Sequence, residues 1–117
     1  AVAAHYYLGR MANQEGDFSL AGLELKLALE ADPKYPNAHA ELGVLHMKQR
    51  EYGPAEKAFR QALELDPDNY SANFNLMVMY QRTKDERASA QTQRFEEVKK
   101  RRAERQLEML RTIEVRP

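Results

Sequence analysis

Residues 36–67 read PNAHAELGVLHMKQREYGPAEKAFRQALELDP. Slid back by 34 positions, the stretch falls on residues 2–33, VAAHYYLGRMANQEGDFSLAGLELKLALEADP, and agrees with it along its length. Gly9 meets Gly43, His5 meets His39, and Leu8 meets Leu42 and then Leu76; Ala4, Ala38 and Ala72 form a second triple. The later part of the unit recurs as Phe18/Tyr52, Ala21/Ala55, Leu25/Phe59, Ala28/Ala62, Leu29/Leu63, Glu30/Glu64 and Asp32-Pro33/Asp66-Pro67. That many coincidences at one spacing identify an internal repeat, which fixes the architecture before any local reading does.

Each unit predicts two helices. In the second, Ala38, Leu42, Leu45 and Gln49 recur at helical spacing, and so do Ala55, Ala58/Phe59, Ala62/Leu63 and Leu65. Arg50-Glu51-Tyr52-Gly53 interrupts the pattern, and Pro54 suits a first helical turn. Glu15-Gly16-Asp17 breaks the first unit, and the two Asp-Pro pairs end the second helices because proline cannot continue one. The small residues Gly9, Gly43, Ala21/Ala55 and Ala28/Ala62 are expected to let paired backbones approach, with Leu8/Leu42 and Leu25/Phe59 filling the remaining space.

The second unit, with His39, Leu42-Gly43, His46, Ala55, Phe59, Ala62 and Pro67, resembles the tetratricopeptide-repeat family. The first unit supplies His5, Leu8-Gly9, Ala12, Ala21, Leu25, Ala28 and Pro33 in the same order. The third starts with Asn73, Leu76 and Tyr80, but Met77 replaces the glycine and the spacing dissolves after Asp85. The resemblance implies an all-α superhelix, a solenoid of about three helical hairpins with an extended C-terminal helix, in one domain spanning 1–117. Its expected units are 2–35, 36–69 and 70–84, followed by a long helix over 85–113 with a loose stripe of Phe95, Val98, Leu107, Leu110 and Ile113. The first turns of that helix can finish the third hairpin, and the rest caps the array, frays or pairs with another chain. Arg116 and Pro117 are expected to fall outside it.

Composition narrows the function classes. Hydrophobic residues at 43% and charged residues at 31% describe a globular chain, and no apolar run reaches membrane-spanning length. Eighteen basic and eighteen acidic residues cancel, so electrostatic specificity must be local. With no cysteine there is neither disulfide nor thiol chemistry. The start, AVAAHYYLG, shows no basic-then-apolar leader, and the chain is expected to be a piece of a longer protein.

Catalysis finds no motif. The serines lie outside G-x-S-x-G and the glycines are scattered without a phosphate-cradling pattern, so neither an enzyme nor a cofactor is expected. His5 and His39 occupy equivalent slots and His46 takes that of Tyr80, a repetition that predicts packing and not a metal site. Lys99-Lys100-Arg101-Arg102, with Arg94 and Arg105 nearby, is interrupted by Glu96, Glu97 and Glu104. A solvated helix face is the expectation there, with RNA binding as a minor alternative.

In this family the first helix of each hairpin lines a concave groove. The resemblance places Tyr6, Arg10, Asn13, Asn37, Ala40, Glu41, Val44, Met47, Lys48, Phe74, Asn75, Val78, Gln81 and Arg82 there. Val44, Met47, Phe74 and Val78 are expected to form an apolar strip rimmed by Arg10, Lys48 and Arg82, suited to a peptide with apolar anchors and an acidic group. A family variant that grips a C-terminal carboxylate is not reproduced, since Tyr6, Arg10, Glu41, Ser71 and Asn75 stand at its clamp positions. The expected function is thus non-catalytic binding of a protein or peptide partner. Self-association through Val2, Leu8 and Met11 or the C-terminal helix is the second reading.

Overall fold

The computed structural model describes residues 1–115. They form α1 (Val2–Glu15), α2 (Phe18–Ala31), α3 (Pro36–Lys48), α4 (Tyr52–Leu65), α5 (Tyr70–Arg82) and α6 (Ala88–Val115), with no strand among the described residues. Successive helices pair as three hairpins, and α1, α3 and α5 also pack on one another to form the inner layer. The expectation for Arg116 and Pro117 lies outside the described residues.

Local chemistry sets the helix ends. Gly16, in the left-handed region at φ 80°, ends α1, and Asp17 caps α2 by accepting a hydrogen bond from the Leu20 amide at 3.1 Å. Asp32 and Asp66 follow the last residues of α2 and α4 in extended conformation ahead of their prolines. Asn69 caps α5 through the Ala72 amide at 2.9 Å. Arg50 and Lys84 fall at Gly16's place in the later units and keep its left-handed turn, at φ 62° and 54°.

The hairpins close over the small residues. A methyl at Gly43 would lie 2.5 Å from the Phe59 ring, and one at Gly9 would lie 2.8 Å from Leu25, so only glycine admits these contacts without a shift. Phe59, Ala55 and Ala62 are fully buried with Ala72, Leu76, Met79 and Tyr80 of α5. Leu8 does not fill the seam of its own hairpin but stays uncovered together with Met11, as the reading of these residues as an exposed apolar face expects. It is 46% exposed, as Met11 is at 53%, whereas their counterparts Leu42 and Leu45 pack on the first hairpin. The physical reason is translational: residues at these positions cover the hairpin before their own.

The third hairpin follows a different register. The second helix begins at Ala88, not at residue 85, and it is α6 itself. Its buried or half-buried face comprises Ala88, Gln91, Thr92, Phe95 and Val98. These positions align with Ala55, Ala58, Phe59, Ala62 and Leu65 one residue short of the period, with polar Gln91 and Thr92 at two core slots. Gln91 Nε2 donates to the Asn73 carbonyl at 2.9 Å and to Asn73 Oδ1 at 3.2 Å, so amide contacts replace part of the apolar seam.

Candidate functional site

The inner helices meet over a hollow of about 470 Å³ lined by Tyr6, Arg10, Asn37, Glu41, Tyr70, Ser71, Phe74, Asn75 and Arg102. Six of the expected groove residues, Tyr6, Arg10, Asn37, Glu41, Phe74 and Asn75, therefore converge on one space. All five positions matching the family's carboxylate clamp also face it. Because their side chains differ from that clamp, the hollow offers a different chemistry: one arginine on α1, one on α6, and the rings of Tyr6, Tyr70 and Phe74.

Rings and cations define its far wall. Phe74, 39% exposed, lies parallel to Tyr70 at 6.5 Å between centroids and 5.4 Å from Phe95. The Arg102 guanidinium sits 4.5 Å from the Tyr70 ring centroid, a cation–π contact that brings a residue of α6 to the groove. Across the hollow, Tyr6 stacks obliquely on Tyr7 and Tyr35. Burial, and after it the Glu41 carboxylate, push the Tyr6 phenol up from its ordinary value, so it stays a neutral donor.

The remaining expected residues divide between the core and internal bonding. Ala40 and Met47 are buried in the cluster that holds Ala72, Leu76 and Met79, because consecutive inner helices press together along those positions. Asn13 is buried as well. Its Nδ2 donates to Glu41 Oε1 at 2.9 Å and to the Glu41 carbonyl at 3.1 Å, while Lys48 Nζ donates to the Asn13 carbonyl at 2.7 Å. These three tie α1 to α3. The expected apolar strip is corrected accordingly: Met47 belongs to the interior and Val44 is a half-buried neighbour of it. Val78 is half-buried, Gln81 and Arg82 are exposed, and Gln81 donates to Thr92 Oγ1 at 3.2 Å.

Tyr70, Ser71 and Arg102 complete the hollow but were not among the expected residues. Ser71 and Tyr70 open α5, one turn before Phe74 and Asn75, so helical spacing carried a signal for them. Arg102 stands far along the chain and only the antiparallel course of α6 brings it back.

The basic run is a fastening. Arg101 holds Asp68 with two nitrogens, at 2.6 and 3.1 Å, and Arg94 donates to the Pro67 carbonyl at 3.3 Å. The Arg101 hydrogen bonds hold the Asp68 carboxyl below its ordinary range. At the other end of the hairpin, Arg87 donates to both carboxylate oxygens of Glu56 at 3.0 Å and to Asp85 at 2.8 Å, and lies over the Tyr80 ring. Each histidine has its own partner: His5 with Glu24 at 2.7 Å, His39 with the Pro33 carbonyl at 2.7 Å, and His46 with Glu51 at 3.0 Å. The three rings thus serve packing and local bonding at separate places. Among the described residues, no helix is long and apolar enough to cross a membrane.

Residues 1–36 and residues 36–69 each match a family model described as tetratricopeptide repeat. No curated protein matches the chain. Among solved structures the chain is similar to "MamA RS-1 ArsTM double mutant", with a TM-score of 0.74 and 21% identity over 87% of this chain and 58% of that one. It is also similar to "MamA MSR-1 C2", with a TM-score of 0.72 and 24% identity over 86% and 59%. The chain spans less than two-thirds of either of those chains, and at these identities the likeness is one of fold. With both complete hairpins matched and the third built on their turn, the chain belongs to the tetratricopeptide-repeat family.

Proposed function

We propose that the hollow on the inner face holds an extended peptide carrying an apolar side chain and a carboxylate. Membership in the family makes the chain a protein–protein interaction or scaffold module. The finer reading rests on one observation: Arg10, Arg102 and the exposed ring of Phe74 line a single concave space together with the polar side chains of Asn37, Ser71 and Asn75. An apolar anchor stacked on Phe74 removes both surfaces from water, and the arginines supply planar donors for an anionic group. Glu41 disfavours a carboxylate placed deeper on α3, which orients the acidic group toward either rim. The engagement of Arg101 and Arg102 with Asp68 and Tyr70 favours this reading over RNA binding.

A single peptide in such a groove is expected to bind near micromolar, or ~8 kcal/mol. The test is a screen of labelled peptides by fluorescence anisotropy, repeated on Phe74→Asp and Arg10→Glu chains. Phe74→Asp should abolish binding and Arg10→Glu should weaken acidic peptides selectively. Binding that survives both substitutions removes the hollow from consideration.

A further inference from the structure

Among the described residues beyond Arg102, the chain's own body reaches α6 only through Asp68, whose carboxylate lies 4.0 Å from the Arg105 guanidinium. Residues 103–114 are all exposed, and at 1.5 Å per residue they carry the helix about 18 Å past the start of α5. The segment is nonetheless amphipathic. Leu107 and Leu110, 51% and 57% exposed, share one face with Ala103, and Ile113 borders it. Glu104 and Arg111 stand two turns apart on the same flank of that face, with opposite charge.

We propose that this face pairs with the same face of a second copy of the chain, antiparallel, with Leu107 of each copy over Leu110 of the other. Charge arrangement selects this occupant. In that register Glu104 of each chain faces Arg111 of the other, so both flanking contacts are attractive and related by a two-fold axis. Lys100 and Glu114, seven residues either side of Leu107, lie on the apolar face itself and end it with charge. The register centres between Leu107 and Leu110, so the overlap runs from residue 102 to residue 115. That is the length of α6 that α5 leaves uncovered, and it keeps the two hairpin bodies at opposite ends of the pair. The contact is independent of the hollow, because Arg102 at its inner limit is the last residue the two share.

Sedimentation velocity on the 117-residue chain, from about 10 µM to about 1 mM at low salt, tests the pairing. A concentration-dependent monomer–dimer equilibrium is expected. Leu107→Asp should leave only monomer, while unchanged circular dichroism and thermal midpoint report that the hairpins remain folded. Glu104→Arg and Arg111→Glu should each weaken association about tenfold, and the double exchange E104R/R111E should restore it to within about threefold. The Phe74→Asp chain should dimerise normally. A monomer throughout the range overturns the proposal, as does a double exchange that fails to restore pairing. A dimer untouched by Leu107→Asp but lost in Leu8→Asp overturns it and assigns association to α1. A monomer that binds anionic vesicles, and is released from them by Leu107→Asp, overturns it in favour of a lipid surface.

Discussion

In the second hairpin Gly43 lets the ring of Phe59 lie against α3, whereas in the third Met77 occupies the glycine's place and Thr92 the ring's. The second hairpin is closed from within, by dispersion and apolar burial across a seam that only small residues permit. The third buries Phe95 and Val98 but is also fastened by polar contacts: Gln91 on Asn73 along the helix pair, Arg87 on Glu56 and Asp85 at one end, Arg101 on Asp68 and Arg102 on Tyr70 at the other. One backbone motif therefore tolerates two kinds of closure. They respond to different perturbations, volume in one case and charge state in the other.

The largest effect is expected where the inner seam is emptied. Phe59→Ala removes a fully buried ring and should cost ~3–5 kcal/mol in urea denaturation. Gly43→Met, which copies the third hairpin into the second, should cost ~1–3 kcal/mol or more, because even a methyl would stand 2.5 Å from the ring. The reverse exchange, Met77→Gly, should cost only ~1 kcal/mol, chiefly through lost helix propensity. Equal losses in the two exchanges would erase the distinction between the hairpins.

Charge state should act on the third hairpin selectively. Side-chain and then backbone hydrogen bonds from Arg87 hold the Asp85 carboxyl at about 2, below its ordinary 3.8. Burial favours the protonated Glu56 carboxyl, but the Arg87 and Arg60 hydrogen bonds outweigh it and hold that group low as well. Folded values below unfolded ones mean that this stabilisation is complete above the ordinary carboxylate range. It is lost as pH falls from about 4.5 toward about 2. Hydrogen exchange across that interval should show α6 amides losing protection before those of α3 and α4; simultaneous loss would mean the end contacts do not govern the seating of α6. Gln91→Ala should cost ~1 kcal/mol by removing the Asn73 contact, measured by the same denaturation. The smallest change has the opposite sign. Lys84→Gly should gain ~0.5–1 kcal/mol by relieving a left-handed turn that glycine already occupies in the first unit, and no gain would show that the turn is unstrained.

The repeating seam was legible because steric constraint is local and recurs: Gly9 with Leu25 and Gly43 with Phe59 announce the same contact twice. The third hairpin was legible in outline, with the first turns of the C-terminal helix completing it through Phe95 and Val98. Its register was not, since a one-residue offset puts Gln91 and Thr92 at core slots. Leu8 read as filler because its counterpart Leu42 is half-covered, and cover depends on a neighbouring hairpin and not on the residue. The resemblance puts Tyr6, Arg10, Asn37, Glu41, Phe74 and Asn75 on the inner helices, where they line the hollow. It puts Ala40 and Met47 beside them although both are buried, because spacing along one helix does not reveal how closely the next inner helix approaches. Arg102 left no trace at all, as its arrival depends on where α6 crosses α5.

That crossing couples two properties that would otherwise be separate. A guest that touches Arg102 interacts with a side chain whose position depends on α6 remaining docked, so occupancy of the hollow and seating of the helix draw on the same free energy and each must favour the other equally. Slower amide exchange along α6 would then register a visitor at the inner face without any probe attached to it, and a chain with a loosened helix would bind more weakly even with every inner-helix residue intact.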